Sequence, residues 1–443
     1  MLDLSPEILT VLMFAGLLAG ILMGHPLAFV LGGLAVIFGY IGWGPQCFYL
    51  FINRIYAVMG NYVMVAIPLF IFMAQLLDRS KIAEELFDIL RHLMGPLRGG
   101  VALAVILVSV LFGACTGIIG ASVTTMGYLA LPVMMKYGYD KSLSVGTICA
   151  GGTLGILIPP SVMLIIMGNQ ASLSVGKLFA GAVIPGMILA GLYIVYILIK
   201  CHFNPAAGPP VSAAERAAMP MRRVWLRAVK SLIPPLILIL GVLGSIFTGV
   251  ATPTEASGVG AFLSLVMIVA YGRFTLQGLY EAVIETAKAS TMVITVIAGA
   301  TCFTGVFMGI GGGRVVEGLL LGLGLGKWGT FIVMMLITFV LGFFIDWVGI
   351  VMITFPVFLP IADGLGFDKL WFVVIMAVML QDSFLTPPFG YALFYIKGVA
   401  PPEIRMGDIY RGIHVFWFLM EIGLILCVLF PRTITWLPEV LIK

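Results

Sequence analysis

Charge is what this sequence has least of. Of 443 residues only 10% are charged and 61% are hydrophobic, with a mean hydropathy of +1.15. A soluble domain carries about 25% charged residues, so a water-soluble enzyme, a nucleic-acid-binding protein and a disordered chain are all excluded. Histidine is scarce as well: there are four, widely separated, and none falls in an HExxH, which removes the zinc-peptidase pattern. The six cysteines (Cys47, Cys115, Cys149, Cys201, Cys302, Cys427) form no CxxC pair and mostly lie inside apolar runs. They read as small packing residues rather than disulfides or metal ligands. There is no GxSxG elbow. GLGLGKW (322–328) ends like a P-loop, but residue 321 is Leu and Trp328 replaces the required Ser or Thr, so nothing points to ATP hydrolysis. The N-terminus, MLDLSPEILT, lacks a basic n-region and a small-residue cleavage site, which makes the first apolar run a retained span rather than a signal peptide.

What the sequence does have is long apolar runs. At roughly 20 apolar residues per crossing of an approximately 30 Å hydrocarbon layer, the chain can span a bilayer about a dozen times. Lipid forces every backbone polar group to be satisfied internally, and runs without strand-like alternation choose helices over a barrel. The expected fold is an all-α polytopic membrane protein. Runs fall at about 8–24, 25–43, 58–77, 101–115, 120–135, 142–170 and 176–199, and again at about 231–248, 253–271, 289–309, 328–345, 349–363, 370–396 and 406–430. Two amphipathic stretches, 79–97 and 273–288, are expected to lie along the membrane interface.

An internal repeat organises these runs. LPVMMKYGYDK (131–141) recurs as LPIADGLGFDK (359–369), and IPPSVML (158–164) as TPPFGYA (386–392), all at one offset of 228. Gly176 and Gly181 match Gly407 and Gly412 at 231. The expected domains are a first repeat over 1–200, a polar cytoplasmic linker over 201–230, and a second repeat over 231–443. The runs at 101–135 and 328–363 are broken in the middle by ACTGIIGAS (114–122) and FIDWVG (344–349) and read as re-entrant hairpins. Five true crossings then remain in the first repeat, and an odd number turns the second repeat over relative to the first. With the N-terminus outside, 17 Lys and Arg fall on inner segments against 7 on outer ones, as the positive-inside rule requires.

The residues that carry chemistry sit at the tips and the breaks. A Pro-Pro pair inside an apolar helix removes two backbone donors and frees carbonyls of the preceding turn, so such a break must line a protein cavity rather than lipid. In GGTLGILIPPS the candidates are Thr153, Gly155, Pro159, Pro160 and Ser161; in QDSFLTPPFG they are Asp382, Thr386, Pro387, Pro388 and Gly390. Freed carbonyls with Ser and Thr oxygens make the hard ligand set that a small cation needs. The plain alternative is a proline kink. The first hairpin tip offers Thr116, Gly117, Gly120 and Ser122, as ligands or as close-packing small residues. The second carries Asp346 and Gly349. An ionisable group within an apolar run is functional by default, the alternative being a carboxylate that caps a helix. Thr301 and Thr304 either line a cavity or bond back to their own helix. For Glu255, the spacing to Thr252 reads as a structural capping box.

These residues resemble the large membrane subunit of the tripartite ATP-independent periplasmic (TRAP) transporters, the M or DctM-type subunit. The resemblance covers nearly the whole chain and rests on GYDKSL…GTLGILIPPS…GKLFAGAVIPG (138–186), ATPTEA (251–256) and LTPPFGYALF (385–394). It implies an elevator-type, sodium-driven importer of small organic anions in the bacterial inner membrane. It further implies a small membrane subunit of about four helices and a periplasmic substrate-binding protein as partners. Na+ is the implied coupling ion, with no organic cofactor. One sodium would sit at Thr116, Gly117, Gly120, Ser122 and the break Thr153–Ser161, another at Asp346–Gly349 with Thr386–Gly390. Two other readings stand beside it: a stand-alone sodium–carboxylate symporter of the same architecture, and an intramembrane lipid-modifying enzyme, for which the chain has no paired acidic or His motif.

Overall fold

A computed structural model describes residues 5–116, 119–212, 220–387 and 390–442, without the side chains of 114–116, 221 and 223. The described residues form helices joined by short turns. The first half contains α1 (Pro6–Leu22), α2 (Leu27–Trp43), α3 (Cys47–Met59), α4 (Ala66–Arg79), α5 (Ile82–Met94), α6 (Gly100–Thr116), α7 (Ile119–Lys136), α8 (Lys141–Leu157), α9 (Val162–Gln170) and α10 (Val175–Phe203). The second contains α11 (Met221–Phe247), α12 (Pro253–Ala270), α13 (Leu276–Gly309), α14 (Gly312–Gly322), α15 (Gly326–Leu341), α16 (Trp347–Gly364), α17 (Lys369–Ser383), α18 (Tyr391–Val399), α19 (Met406–Leu429) and α20 (Arg432–Leu441). Among the described residues eight helices are long and apolar enough to cross a membrane, and α8 with α9, bent by 42°, makes a ninth span.

The two series run in step: α15 to α19 begin 226 to 231 residues after α6 to α10. The repeated Gly-x-Asp explains part of this register. Gly138 and Gly366 adopt φ of +72° and +71°, a left-handed turn open to glycine. Two residues on, Asp140 and Asp368 accept the backbone N–H of Leu143 (2.8 Å) and Trp371 (2.7 Å). Each motif therefore stops one helix and caps the next. Thr252 and Glu255 form the capping box that starts α12, with Glu255 Oε2 accepting Thr252 N–H at 2.8 Å.

Two sequence readings change. The stretch 273–288 is not a separate interfacial segment but the first part of α13, a 34-residue helix. With no proline or glycine between Leu279 and Ala298, nothing interrupts propagation. Helix also enters the expected linker from both ends. Its first residues are stitched to the loops near hairpin 1, through Gly99 N–H to Gly208 O (2.8 Å), Asp140 N–H to Ala207 O (3.0 Å) and Val211 N–H to Gly95 O (2.9 Å). The other amphipathic stretch forms α5, whose apolar face (Leu86, Phe87, Leu90) packs on α6 and α11.

Packing sorts the helices into two groups. α13 lies along α2, α3 and α4, with α12 on α4. The hairpins and broken helices gather around α8, α10, α17 and α19. The seam between the groups is where α13 meets α16 and α4 meets α6 and α9.

Candidate functional site

A cavity of about 590 Å³ opens on that seam. It is walled by both hairpin tips, through Ile119, Gly120 and Asp346–Val348. Both helix breaks also reach it, through Ile156 and Val162 and through Phe384, Tyr391 and Tyr395. The opposite wall is Pro26–Phe29, Ile71 of α4, and Met292, Val293, Thr295 and Val296 of α13. The lining is mostly apolar with a few polar groups, the usual make-up of a small-molecule site.

Asp346 is the acid on this wall. It caps α16, its Oδ2 accepting Val348 N–H at 3.5 Å, with the Trp347 N–H a second backbone donor to the carboxylate. Gly120 lines the same cavity from the first tip. A Cβ on Gly120 would stand 2.9 Å from Cζ of Tyr395, so glycine is what lets the tip meet the second break. Gly349, one turn into α16, is walled by Leu27, whose Cδ2 lies 2.6 Å from where a Cβ would be. It sets how closely hairpin 2 approaches α2.

The first break answers its own polar groups. Pro160 has no N–H for the Ile156 carbonyl. The Ser161 hydroxyl donates to that carbonyl instead, and its oxygen accepts Leu164 N–H at 3.4 Å to cap α9. Pro159 and Pro160 are buried here. Thr153 donates to Ala150 O (2.9 Å) and accepts Gln381 Nε2 at 3.4 Å. Gly155 is a packing residue: a Cβ there would stand 2.7 Å from Gly113 Cα, so α6 and α8 touch at a Gly–Gly contact.

At the second break the Thr386 hydroxyl donates to Asp382 O (2.9 Å), and Gly390 N–H closes the turn onto Thr386 O (3.0 Å). Thr386 and Pro387 are half-buried and Gly390 is buried. Asp382 does not reach the cavity. Its Oδ2 accepts the indole N–H of Trp417 on α19 at 3.0 Å.

The remaining candidates divide. Ser122 is buried in α7 and outside the cavity lining. Thr301 and Thr304 do line a cavity, but a second one. Thr301 also bonds back to Ile297 O of its own helix, while Thr304 donates to Met352 O across the seam at 2.9 Å. The Thr116 side chain, Gly117 and Pro388 lie outside the described residues. Tyr391, Tyr395 and Thr295 are wall residues that sequence reasoning missed. The only available signal was the i, i+4 tyrosine pair directly after the second break.

Equivalent positions of the two series meet. Thr153 and Gln381, which touch, are 228 residues apart. Gly146 of α8 packs on Gly412 of α19, a Cβ standing 2.6 Å from Gly412 O, and the matching pair is Gly181 of α10 with Val374 of α17 at 3.5 Å.

Comparison with known proteins agrees with this architecture. The C4-dicarboxylate TRAP transporter large permease protein DctM of Pseudomonas aeruginosa is 30% identical over 389 residues, covering 87% of this chain and 88% of that one. The isethionate TRAP transporter permease protein DctMQ of Oleidesulfovibrio alaskensis is 29% identical, over 87% of this chain and 60% of its own length. The crystal structure of the Alcanivorax borkumensis YdaH transporter superposes with a TM-score of 0.67 at 14% identity, covering 97% of this chain and 98% of that chain, a likeness of fold. The family model described as tripartite ATP-independent periplasmic transporter, DctM component, matches residues 13–433. The chain therefore belongs to the DctM family of TRAP transporter large permeases, and is a multi-pass membrane transport protein rather than an enzyme.

Proposed function

We propose that this chain is the translocating subunit of a three-part importer that carries small organic anions inward together with sodium ions. The observation that carries the reading is the single cavity reached by both hairpin tips and both helix breaks. Interrupted backbone at membrane depth is tolerated only where it is buried or lines such a cavity, and discontinuous helices meeting between repeats are how secondary transporters hold substrate and ion. The reciprocal contacts between α8–α19 and α10–α17 support two like halves, domains over 1–200 and 231–443. The second half is turned over, and the N-terminus lies on the periplasmic side.

The donor set fits a small hard cation. Asp346 offers a carboxylate that caps α16 through backbone N–H groups, and Thr386 and Gly390 add a hydroxyl oxygen and backbone on the facing break. At the first break Thr153 and Ser161 are fully buried and spend their hydroxyls on carbonyls and on Gln381 and Leu164, so they brace the site rather than ligate. Gly120 lets backbone approach. Asp382 takes no part. The anion is proposed from the cargo named for the two relatives, a C4-dicarboxylate and isethionate, both of which carry a carboxylate or sulfonate. The DctMQ name and length support a small membrane subunit as partner, with a periplasmic binding protein completing the system.

Coupling then follows from charge. Moving one net charge inward across 100 mV is worth about 2.3 kcal/mol, so two sodium ions with a monoanion are driven by voltage as well as by the sodium gradient.

Uptake into proteoliposomes holding this chain, its small subunit and the binding protein tests the reading. Replacing external sodium with potassium should abolish accumulation of the anion, as should Asp346→Asn. Undiminished uptake in potassium would overturn sodium coupling. Full uptake by this chain without a binding protein would mark a stand-alone symporter.

A further inference from the structure

The central cavity has a neighbour on the same seam. A second cavity of about 320 Å³ is lined by Arg54 of α3, Gln170 at the end of α9, Thr301 and Thr304 of α13, and the proline-bearing face of α16 at Pro356 and Pro360. α13 gives Met292–Val296 to the first cavity and Thr301–Met308 to the second; α16 gives its first residues to one and 352–360 to the other. Nine or ten residues along a helix at 1.5 Å each separate the two by about 14 Å. The cavities are successive chambers between the same two groups of helices.

Arg54 is the unusual lining residue. On α3 the residues Cys47, Phe51 and Val58 are buried, and position 54 falls on that same helical stripe. An arginine therefore stands where the pattern calls for an apolar side chain. Its room comes from Gly305 on α13: a Cβ there would lie 3.2 Å from Arg54 Nε. Arg54 lies past the apolar run 25–43, in the later part of the Leu27–Met59 segment, and is exposed, so its guanidinium is open to an incoming group. Among the described residues no acidic side chain lines the cavity to neutralise it. Thr304 has committed its hydroxyl proton to Met352 O, and Thr301 its own to Ile297 O. The donors left for an incoming group are the guanidinium and the Gln170 amide. A positive charge with spare donors and no acid is a place for an anion.

We infer that Arg54 and Gln170 form an anion-binding waypoint, which holds the carboxylate or sulfonate of the cargo one chamber away from the central cavity. This rests on the reading above that the cargo is anionic. The scaffold side supplies the guanidinium through α3, and the α9 end supplies the amide, so the waypoint is completed only when the two groups of helices are apposed as they are here. With the N-terminus outside, Gln170 lies toward the periplasm and the waypoint precedes the central cavity on the way in.

The test uses the reconstituted three-part complex with succinate and isethionate as probes. Arg54→Gln should raise KM for a transported probe by about ten-fold while leaving the maximal rate nearly unchanged. Arg54→Lys should fall between, since an ammonium keeps the charge but loses the planar fork. In the wild type, phenylglyoxal modification of Arg54, followed by mass spectrometry, should slow several-fold when the transported probe is present, with Arg314 as the indifferent control. Unchanged KM in Arg54→Gln, or Arg54 modification indifferent to a transported anion, would overturn the waypoint while leaving the transport reading intact. A wild-type complex that moves only neutral or cationic solutes would overturn both.

Discussion

The two helix breaks carry the same Pro-Pro pair and put it to different use. From Leu157 to Ser161 every residue of the first is buried, and one serine hydroxyl bridges the freed Ile156 carbonyl and the first turn of α9. At the second, Thr386 and Pro387 are half-buried, α18 starts at Gly390 without a side-chain cap, and Tyr391 and Tyr395 turn onto the central cavity. A break that satisfies itself is a stiff joint between two half-helices. A break whose wall faces a cavity is where an ion or cargo can be met.

That contrast is sharpest at the acids. Asp346→Asn should lower sodium-dependent uptake by about a hundred-fold or more with the folded complex intact. Asp382→Asn should keep most of its sodium dependence, because that carboxylate faces Trp417 rather than the cavity. If the two variants behave alike, the difference between cavity wall and helix flank has no functional meaning. Next in size, Pro387→Ala should raise the sodium concentration needed for half-maximal uptake by about ten-fold, measured in the same vesicles, and by more than Pro253→Ala does. The reverse order would make the second break a simple kink. Ser161→Ala should act on stability instead, costing about 1–2 kcal/mol as a lost cap and a carbonyl left without its donor. It would be read as a lower Tm with sodium affinity little changed. Smallest of all, Glu255→Gln weakens one exposed capping box and should leave both Tm and uptake nearly unaltered.

Much of this was legible in the sequence because the strongest constraints on a membrane chain are written in composition and punctuation. Long apolar runs announced the helices, and the doubled prolines and the Gly-x-Asp pairs announced where they break and restart. Gly138 and Asp140, with Gly366 and Asp368, proved to be joints: a left-handed glycine and a capping aspartate repeat because the turn repeats. The site itself was legible only in part. Asp346 and Gly120 stand on the cavity wall, but Asp382, though next to the break in sequence, points to α19, since each residue turns about 100° around a helix and proximity along the chain does not fix direction. Thr301 and Thr304 entered a different chamber from the tips. Arg54 read as one more outer-side charge, because its meaning comes from Gly305, some 250 residues away, which no local pattern announces.

The most direct test of the central claim is access to the cavity wall. Thr295 is exposed on that wall, and the described native cysteines (Cys47, Cys149, Cys201, Cys302, Cys427) are buried, so in a Cys115→Ala background Thr295→Cys can be followed with a membrane-impermeant maleimide in the reconstituted complex. Sodium together with the anion should slow its labelling several-fold relative to potassium, and Asp346→Asn should remove that protection. Labelling at one rate in sodium and in potassium, with or without the anion, would contradict the claim that this cavity is where ion and cargo are coupled.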